Sequence, residues 1–294
     1  MMTGDPLILA HDLGTTGNKK IDAHQHFWQY TPEEYGWIGP QMAILRKDHL
    51  PGDLAPLLET TGLDGTVAVQ ARQNLEETAW LLALSDRYPI IKGVVGWVDL
   101  CSPHVEAQLE RFCAHPKFRG VRHVVQDEID DRFMLRADFR RGIAVLKKLG
   151  LTYDILIFPR HLAVAHELVV QFPDQPFVLD HLAKPLIKDG LISPWAQEIQ
   201  RLAALPNVTC KVSGMVTEAN WDGWRPADLW PYLDTVFEAF GPQRIMFGSD
   251  WPVCKVAATY PRVVEVVSDY VDKLSKDEQA AVWGGTAREF YGLG

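Results

Sequence analysis

The 294-residue sequence predicts an α/β protein, a single-domain (β/α)8 TIM barrel. Three observations support this fold class. Eight short runs rich in β-branched and apolar residues recur along the chain, longer amphipathic segments separate them, and they are spread evenly over about 270 residues. No G-x-G-x-x-G follows the first run, whereas a doubly wound dinucleotide-binding sheet would begin with such a turn.

The eight predicted strands are mostly continuous apolar runs rather than strict alternations of apolar and polar residues. Continuous runs are typical of strands that are buried on both faces of a parallel sheet. The strands are predicted at residues 20–23, 66–70, 93–99, 120–125, 152–157, 176–179, 207–213 and 244–248.

Amphipathic patterns between the strands predict helices that include residues 75–86, 103–113, 136–149, 161–172, 194–204 and 226–240. Asn74 stands where a helix N-cap is expected, and Ser102 followed by Pro103 predicts the start of the next helix. The chain contains no Pro/Gly/Ser-rich linker and no repeat of 20–50 residues. We therefore expect one domain from residue 21 to residue 294, preceded by an extension of 20 residues.

Charge and composition exclude several classes of function. The formal net charge is −9 and no block of Lys or Arg is present, which argues against nucleic acid as a partner. No run approaches the ~18 apolar residues of a membrane span, and the first residues lack the pattern of a signal peptide. The four cysteines have no C-x-x-C spacing, so we expect reduced thiols in a cytoplasmic protein.

In a (β/α)8 barrel the chemistry lies where strands end, so polar residues at those positions are candidates for the site. The first strand is followed by His24 and His26, which alternation along a strand places on the same side. Two imidazoles in this arrangement can converge on one metal ion or one substrate oxygen.

Two further strands end in matching groups. His181 follows the sixth strand, and Asp250 follows the eighth after a Gly-Ser turn. A carboxylate buried at such a position needs a cation, a metal ion or a hydrogen-bond donor. Taken alone, His181 is equally explained as a core imidazole and Asp250 as a helix N-cap.

Three motifs, I-D-A-H-Q-H-F-W, V-L-D-H-L-A-K-P and F-G-S-D-W-P-V, resemble the amidohydrolase superfamily. Within it they are similar to the branch of amidohydrolase-related sugar-lactone hydrolases of the L-fuconolactonase and L-rhamnonolactonase type. The resemblance covers the chain from about residue 20 to residue 294. It implies a distorted (β/α)8 barrel that hydrolyses a cyclic ester, with His24, His26, His181 and Asp250 as the central group. The exact sugar and the ring size stay open.

The resemblance also limits the number of metal ions. Superfamily members with two metal ions bridge them with a carboxylated Lys or a Glu on the fourth strand, and residues 120–125 contain neither. His161, which follows the fifth strand, is expected to begin a helix instead. We therefore expect at most one divalent ion, Zn²⁺ by its ligand types, bound by the four central residues. Whether activity requires this ion stays open.

Lactone hydrolysis needs an activated water, a polarised carbonyl and a proton for the leaving alkoxide. We assign Asp250 as the general base and, once protonated, the acid; the three histidines ligate the metal ion or donate hydrogen bonds. Other residues near strand ends are candidates for substrate binding, with salt bridges in the barrel wall as the alternative for the cations and loop packing for the tryptophans. These residues are Trp28, Arg122, His123, Arg160, Lys211 and Trp251. Strand alternation excludes that Arg122 and His123 both face the centre.

Residues 1–20 include a stretch that resembles the first strand and phosphate-binding turn of sugar kinases. An ATP-dependent sugar kinase is thus a second hypothesis, but the rest of the chain is too short for its two domains. We expect a non-functional leader or fusion remnant. A metal-dependent decarboxylase of the same superfamily and a non-catalytic binding barrel are the remaining hypotheses. The expected partner is a small-molecule sugar lactone; the oligomeric state is not determined by the sequence.

Overall fold

Eight parallel strands form one sheet in the order β1 to β8, so each strand pairs with its neighbours in sequence. The structure, a computed structural model, describes residues 19–294; the predicted kinase-like stretch therefore lies outside the described residues. The predicted (β/α)8 barrel is confirmed, and every predicted strand is present. The strands are β1 (Ile21–Gln25), β2 (Gly65–Val69), β3 (Ile91–Gly96), β4 (Phe118–Val124), β5 (Thr152–Leu156), β6 (Phe177–Leu179), β7 (Val208–Val212) and β8 (Ile245–Phe247).

The barrel closes through the segment that follows β8. The backbone N–H of Asp250 donates to the carbonyl of His24 at 2.8 Å, and that of His26 donates to the carbonyl of Trp251 at 2.7 Å. The buried carboxylate of Asp22 accepts from the Ser249 N–H at 2.9 Å. Closure thus holds the two strand ends that carry the predicted site against one another.

Helices surround the barrel, and all six predicted helices are present with ends that shift by one or two residues. The Asn74 side chain accepts from the backbone N–H of Glu77 at 2.7 Å, as expected of an N-cap. The helix predicted from Pro103 begins at Val105, because Ser102 instead accepts from the His104 N–H in a turn. The helices are α1 (Pro51–Thr61), α2 (Leu75–Arg87), α3 (Val105–Cys113), α4 (Ala137–Lys148), α5 (Leu162–Gln171), α6 (Trp195–Ala203), α7 (Met215–Glu218), α8 (Pro226–Phe240), α9 (Tyr260–Val271), α10 (Lys276–Ala280) and α11 (Thr286–Tyr291).

Two apolar layers form the core of the barrel, and a separate cluster of Trp28, Tyr35, Ile38 and Leu45 packs the loop after β1. The larger layer packs the helices on the barrel wall. The smaller one gathers inward-facing strand residues such as Ala23 and Met246 with Tyr291 from α11, which fills the end of the barrel opposite the site. Among residues 19–294, no helix is both long enough and apolar enough to cross a membrane.

A β-bulge in β1 decides which way the histidines point. Asp22 pairs with Thr66 of β2 and Gln25 pairs with Ala68, so β1 contains one extra residue between these pairs. Ala23 belongs to the inner apolar layer. Strict alternation would turn His24 outward, but the bulge turns it inward as well. Bulges beside active sites commonly re-aim a side chain in this way.

Candidate active site

The four residues at the centre of the sequence prediction converge at one end of the barrel. His24 Nε2 lies 3.2 Å from His26 Nε2. Asp250 Oδ1 lies 3.4 Å from His26 Nε2, 3.8 Å from His181 Nε2 and 4.0 Å from His24 Nε2. All four side chains are buried or nearly so. Three imidazoles therefore surround a single carboxylate oxygen.

A strained turn presents His181 to this centre. Four consecutive residues from His181 to Lys184 have left-handed backbone angles, with φ of 52°, 55°, 58° and 51°. Left-handed conformation costs about 1–2 kcal/mol per residue for side chains other than glycine. The Trp195 indole N–H donates to the Leu182 carbonyl at 2.7 Å, and Ser213 Oγ hydrogen-bonds His181 Nδ1 at 2.8 Å. Strain of this kind persists where the surrounding structure fixes a functional geometry.

A cavity of about 560 Å³ opens above the convergent residues. His26, His181 and Asp250 lie at its floor, together with Arg122, and Trp28 contributes to its wall. Its volume is within the range of small-molecule sites. The remaining lining residues are Glu34, Trp37, Met42, Ala71, Arg72, Gln73, Asn74, Val124, Gln126, Asp127, Leu156, Lys184, Thr217 and Val253.

Arg122 is held rigidly between β2 and β6. Its Nε donates to the Gln70 side-chain oxygen at 2.8 Å, and its Nη2 donates to the Gln70 carbonyl. Its Nη1 donates to Asp180 Oδ2 and to His24 Nε2, both at 3.2 Å. The guanidinium is thus a fixed positive charge at the edge of the cavity.

Lys211 lies deeper in the barrel and does not line the cavity. Its Nζ is 2.5 Å from Asp154 Oδ2, 3.0 Å from Asp180 Oδ1 and 3.2 Å from His24 Nδ1. Tyr291 donates to the same Asp154 oxygen at 2.8 Å. Lys211 therefore contacts His24 on the side away from the cavity and does not contact a substrate there.

The other predicted substrate-binding residues are separated from the cavity. His123 faces outward, as alternation with Arg122 requires; it stacks on Phe133 and hydrogen-bonds Glu128 at 2.6 Å. Arg160 is half exposed and pairs with Asp131 at 2.9 Å. Trp251 is buried and lines a second cavity of about 320 Å³. Of this predicted group, the structure brings only Trp28 and Arg122 to the cavity with the central residues.

Burial and local charge set the protonation of the centre. Burial, with the nearby Lys211 charge, holds the pKa of His24 well below its usual value. Burial does the same to the pKa of His181. Burial alone would raise the pKa of Asp250, but His181, His26 and the charge of Lys184 outweigh it and lower that pKa. At neutral pH an ionised carboxylate therefore faces neutral His24 and His181 imidazoles.

These side chains fit one metal ion. His26 Nδ1 donates to the Val69 carbonyl at 2.8 Å, which leaves a lone pair on Nε2. His24 Nε2 lies 3.2 Å from His26 Nε2; its single lone pair accepts from Arg122 here and would turn from Arg122 to a bound ion. The ligand atoms of His24, His26 and Asp250 all lie within 4.8 Å of one another. Tetrahedral Zn²⁺ with ligands at about 2.0–2.2 Å has ligand–ligand separations of roughly 3.3–3.6 Å. The His24–His26 and His26–Asp250 separations are close to this, and the His24–Asp250 separation of 4.0 Å would shorten around an ion.

Sequence reasoning missed several residues that build the site. Gln70 and Asp180 both stand at predicted strand ends and hold Arg122, so their positions were a usable signal. Glu34 and Arg72 form an ion pair in the cavity wall, and both lie on loops. Lys184 also lines the cavity; only the left-handed turn brings it there.

Comparison with known proteins places the chain among close relatives. Residues 21–293 match the protein family described as Amidohydrolase. A protein named L-fucono-1,5-lactonase from Burkholderia multivorans is 43% identical over 288 residues, covering 94% of this chain and 97% of that protein. Another of the same name from Burkholderia ambifaria is 37% identical, covering 92% and 95%. A solved structure of a Burkholderia multivorans amidohydrolase with bound zinc has a TM-score of 0.91 at 43% identity, covering 94% of this chain and 100% of that chain.

Proposed function

Because the chain belongs to the amidohydrolase family, we propose that it is a lactonase that opens a sugar lactone such as L-fucono-1,5-lactone to the free aldonic acid. The observation that carries the proposal is the ionised Asp250 carboxylate at the floor of a sugar-sized cavity, surrounded by three imidazoles. Two relatives at 37–43% identity are lactonases, which favours this reaction over decarboxylation.

Asp250 is positioned to act as general base. Its carboxylate removes a proton from a water molecule as the water oxygen attacks the lactone carbonyl carbon. The carbonyl oxygen then carries the negative charge of a tetrahedral intermediate. When that intermediate collapses, the ring C–O bond breaks, and Asp250 returns the proton to the leaving alkoxide. One water is consumed and the product is an open-chain aldonic acid, which ionises at neutral pH.

Fixed donors stabilise the developing charge. Arg122 points its guanidinium at the cavity edge and needs no rearrangement, because Gln70 and Asp180 already hold it. Preorganised donors of this kind supply a large share of the catalysis of acyl transfer. Trp28 is buried against Tyr35, Trp37 and His49, so it shapes the cavity wall by packing the loop after β1.

We further propose at most one Zn²⁺, held by His24, His26, His181 and Asp250. When bound, the ion would act as a Lewis acid on the lactone carbonyl. A second ion on the other side of His24 would meet Asp180, whose carboxylate is already paired with Lys211 at 3.0 Å and Arg122 at 3.2 Å. Two fixed cations there repel a further one. Because a lactone is a reactive ester and Arg122 is already in place, we propose that activity does not depend strictly on the ion.

Residues 21–294 carry this proposed activity, and the first 20 residues take no part in it. A nucleotide-induced rise in melting temperature would instead support the sugar-kinase hypothesis for that segment.

A pH-indicator assay with L-fucono-, L-rhamnono-, D-arabinono- and L-galactonolactones tests the proposal. Asp250→Asn is expected to lower kcat by about 10²–10⁴-fold, the usual contribution of general-base catalysis, while the protein stays folded. Asp86→Asn is the matched control, because Asp86 is exposed and, among residues 19–294, its only ion pair is with His115.

Wild-type activity in Asp250→Asn would refute the assignment of the base. Absence of lactone hydrolysis by the wild-type protein would refute the lactonase, and CO₂ release from an aromatic acid would favour the decarboxylase. Unaltered lactone turnover in the Asp86 control separates loss of the base from a general effect of removing a carboxylate.

A further inference from the structure

Lys184 places a positive charge in the cavity beside the predicted base. It is the last residue of the left-handed turn that begins at His181, and its backbone N–H donates to the His181 carbonyl at 2.7 Å. In a turn with three residues per repeat, side chains three positions apart lie above one another. Both His181 and Lys184 accordingly line the cavity, whereas Leu182 and Ala183 are fully buried.

The charge of Lys184 acts on the carboxylates of Asp250 and Glu218 but forms an ion pair with neither. Among residues 19–294, no carboxylate oxygen lies within 4.0 Å of its Nζ and no hydrogen bond engages it; the ring of Phe158 is 5.6 Å away. Most other lysines and arginines of the site are paired. Lys211 contacts two aspartates, and Arg72 pairs with Glu34.

Lys184 and Arg122 differ in how many of their N–H bonds are already used in hydrogen bonds. Four of the five N–H bonds of Arg122 are directed at Gln70, Asp180 and His24. One remains for a substrate. Lys184 has three N–H bonds, and no hydrogen bond within residues 19–294 uses any of them.

The reaction creates negative charge beside a carboxylate. The carbonyl oxygen becomes an oxyanion in the tetrahedral intermediate, and the product carries a carboxylate in the same place. Asp250 holds the water proton while the oxyanion exists, but it is a carboxylate again when the product ionises, and it then repels the product carboxylate. The ammonium of Lys184, which also lines the cavity, offsets this repulsion.

Building on the proposed lactonase activity, we propose that Lys184 is a further catalytic residue, whose ammonium binds the lactone carbonyl oxygen and then the carboxylate of the open-chain product. Lys184 keeps its proton throughout and forms no covalent bond. Its contribution grows as charge develops on the oxygen, so it lowers the barrier more than it strengthens binding of the neutral lactone.

The test compares Lys184→Met and Lys184→Arg with the wild-type enzyme. Lys188→Met is the control, because Lys188 lies four residues further on and is exposed. Two ligands report on charge at the proposed position: L-fuconate, which carries the carboxylate, and L-fucitol, an uncharged polyol of similar size. Calorimetry gives the dissociation constant of each ligand, and the lactone assay gives kcat and KM.

Lys184→Met is expected to weaken L-fuconate binding and to lower kcat by about 10- to 100-fold each, as loss of a charged hydrogen bond predicts. KM and L-fucitol binding should change little, and Lys184→Arg should restore part of both losses. A purely structural role would weaken both ligands alike. Equal L-fuconate affinity in the wild-type enzyme and Lys184→Met would overturn the proposal.

The measurement of L-fuconate binding does not depend on lactone turnover. A wild-type protein that hydrolyses no lactone but binds L-fuconate through Lys184 would refute the proposed function and retain the anion site. A wild-type protein that hydrolyses lactones while Lys184→Met keeps full kcat and full L-fuconate affinity would refute the role of Lys184 alone. If the wild-type protein binds no L-fuconate, the role of Lys184 is refuted as well.

Discussion

Replacing Lys211 tests the buried charges beneath the site. Lys211 Nζ contacts Asp154 at 2.5 Å and Asp180 at 3.0 Å, and all three side chains are inaccessible to solvent. In Lys211→Met the ammonium is lost. Asp154 then retains only the Tyr291 hydroxyl as a hydrogen-bond donor, whereas Asp180 retains Arg122.

Breaking a buried ion pair from one side costs about 3–5 kcal/mol, because the partner stays buried without compensation. Burial already raises the pKa of Asp154 to about 6, even with Lys211 beside it. Without Lys211 this carboxyl takes up a proton at neutral pH, so we expect a loss of stability near the lower end of the range of about 3–5 kcal/mol. For a domain of this size, a loss of about 3 kcal/mol lowers Tm by roughly 5 °C.

Urea denaturation followed by circular dichroism measures the effect for Lys211→Met, Asp154→Asn and the double variant. We expect the two single substitutions not to be additive. The free energy of unfolding of the double variant should fall by about 1–3 kcal/mol less than the sum of the two single losses, because the double variant leaves no unpaired charge. Lys188→Met, on the exposed surface, should stay within about 0.5 kcal/mol of the wild type. Additive losses, or a loss below about 1 kcal/mol in Lys211→Met, would refute the reasoning.

Three further measurements test the expected charge and metal properties. Burial raises the pKa of Glu77 from 4.5 to about 7, so the folded state holds the proton more tightly and wild-type stability falls as pH rises between these values, by about 3 kcal/mol. Glu77→Gln should lack this fall in denaturation experiments; equal pH slopes in the two proteins would contradict it. Elemental analysis after purification with excess Zn²⁺ should find at most one ion per chain, and two tightly bound equivalents would disprove this. Chelation should reduce lactonase activity modestly or not at all, whereas complete loss that Zn²⁺ restores would show that the ion is essential.

The strands and the positions of the central residues were predictable because each depends on a local pattern. A continuous β-branched run such as Thr152–Leu156 is buried on both faces wherever it lies in a parallel sheet. Once eight such runs are recognised, the barrel brings their carboxyl ends together. His24, His26, His181 and Asp250 needed only their place after a strand to be expected near one another.

Some features depend instead on contacts between distant segments, which no local pattern encodes. The bulge that turns His24 inward arises from the pairing of β1 with β2. Trp251 follows Asp250 directly, yet the left-handed φ of 56° at Asp250 and the pairing with β1 direct the two side chains to different cavities.

The charged residues of the site show most clearly the difference between what local sequence determines and what tertiary contacts determine. Local patterns were enough to place Arg122 and Lys211 on strands, and alternation separated Arg122 from His123. The folded arrangement alone pairs Lys211 with Asp154 and Asp180, while Lys184 forms no ion pair with any residue from 19 to 294. A charge becomes available to a substrate only if nothing else in the interior neutralises it, and its neighbours there come from strands and turns far away in the chain.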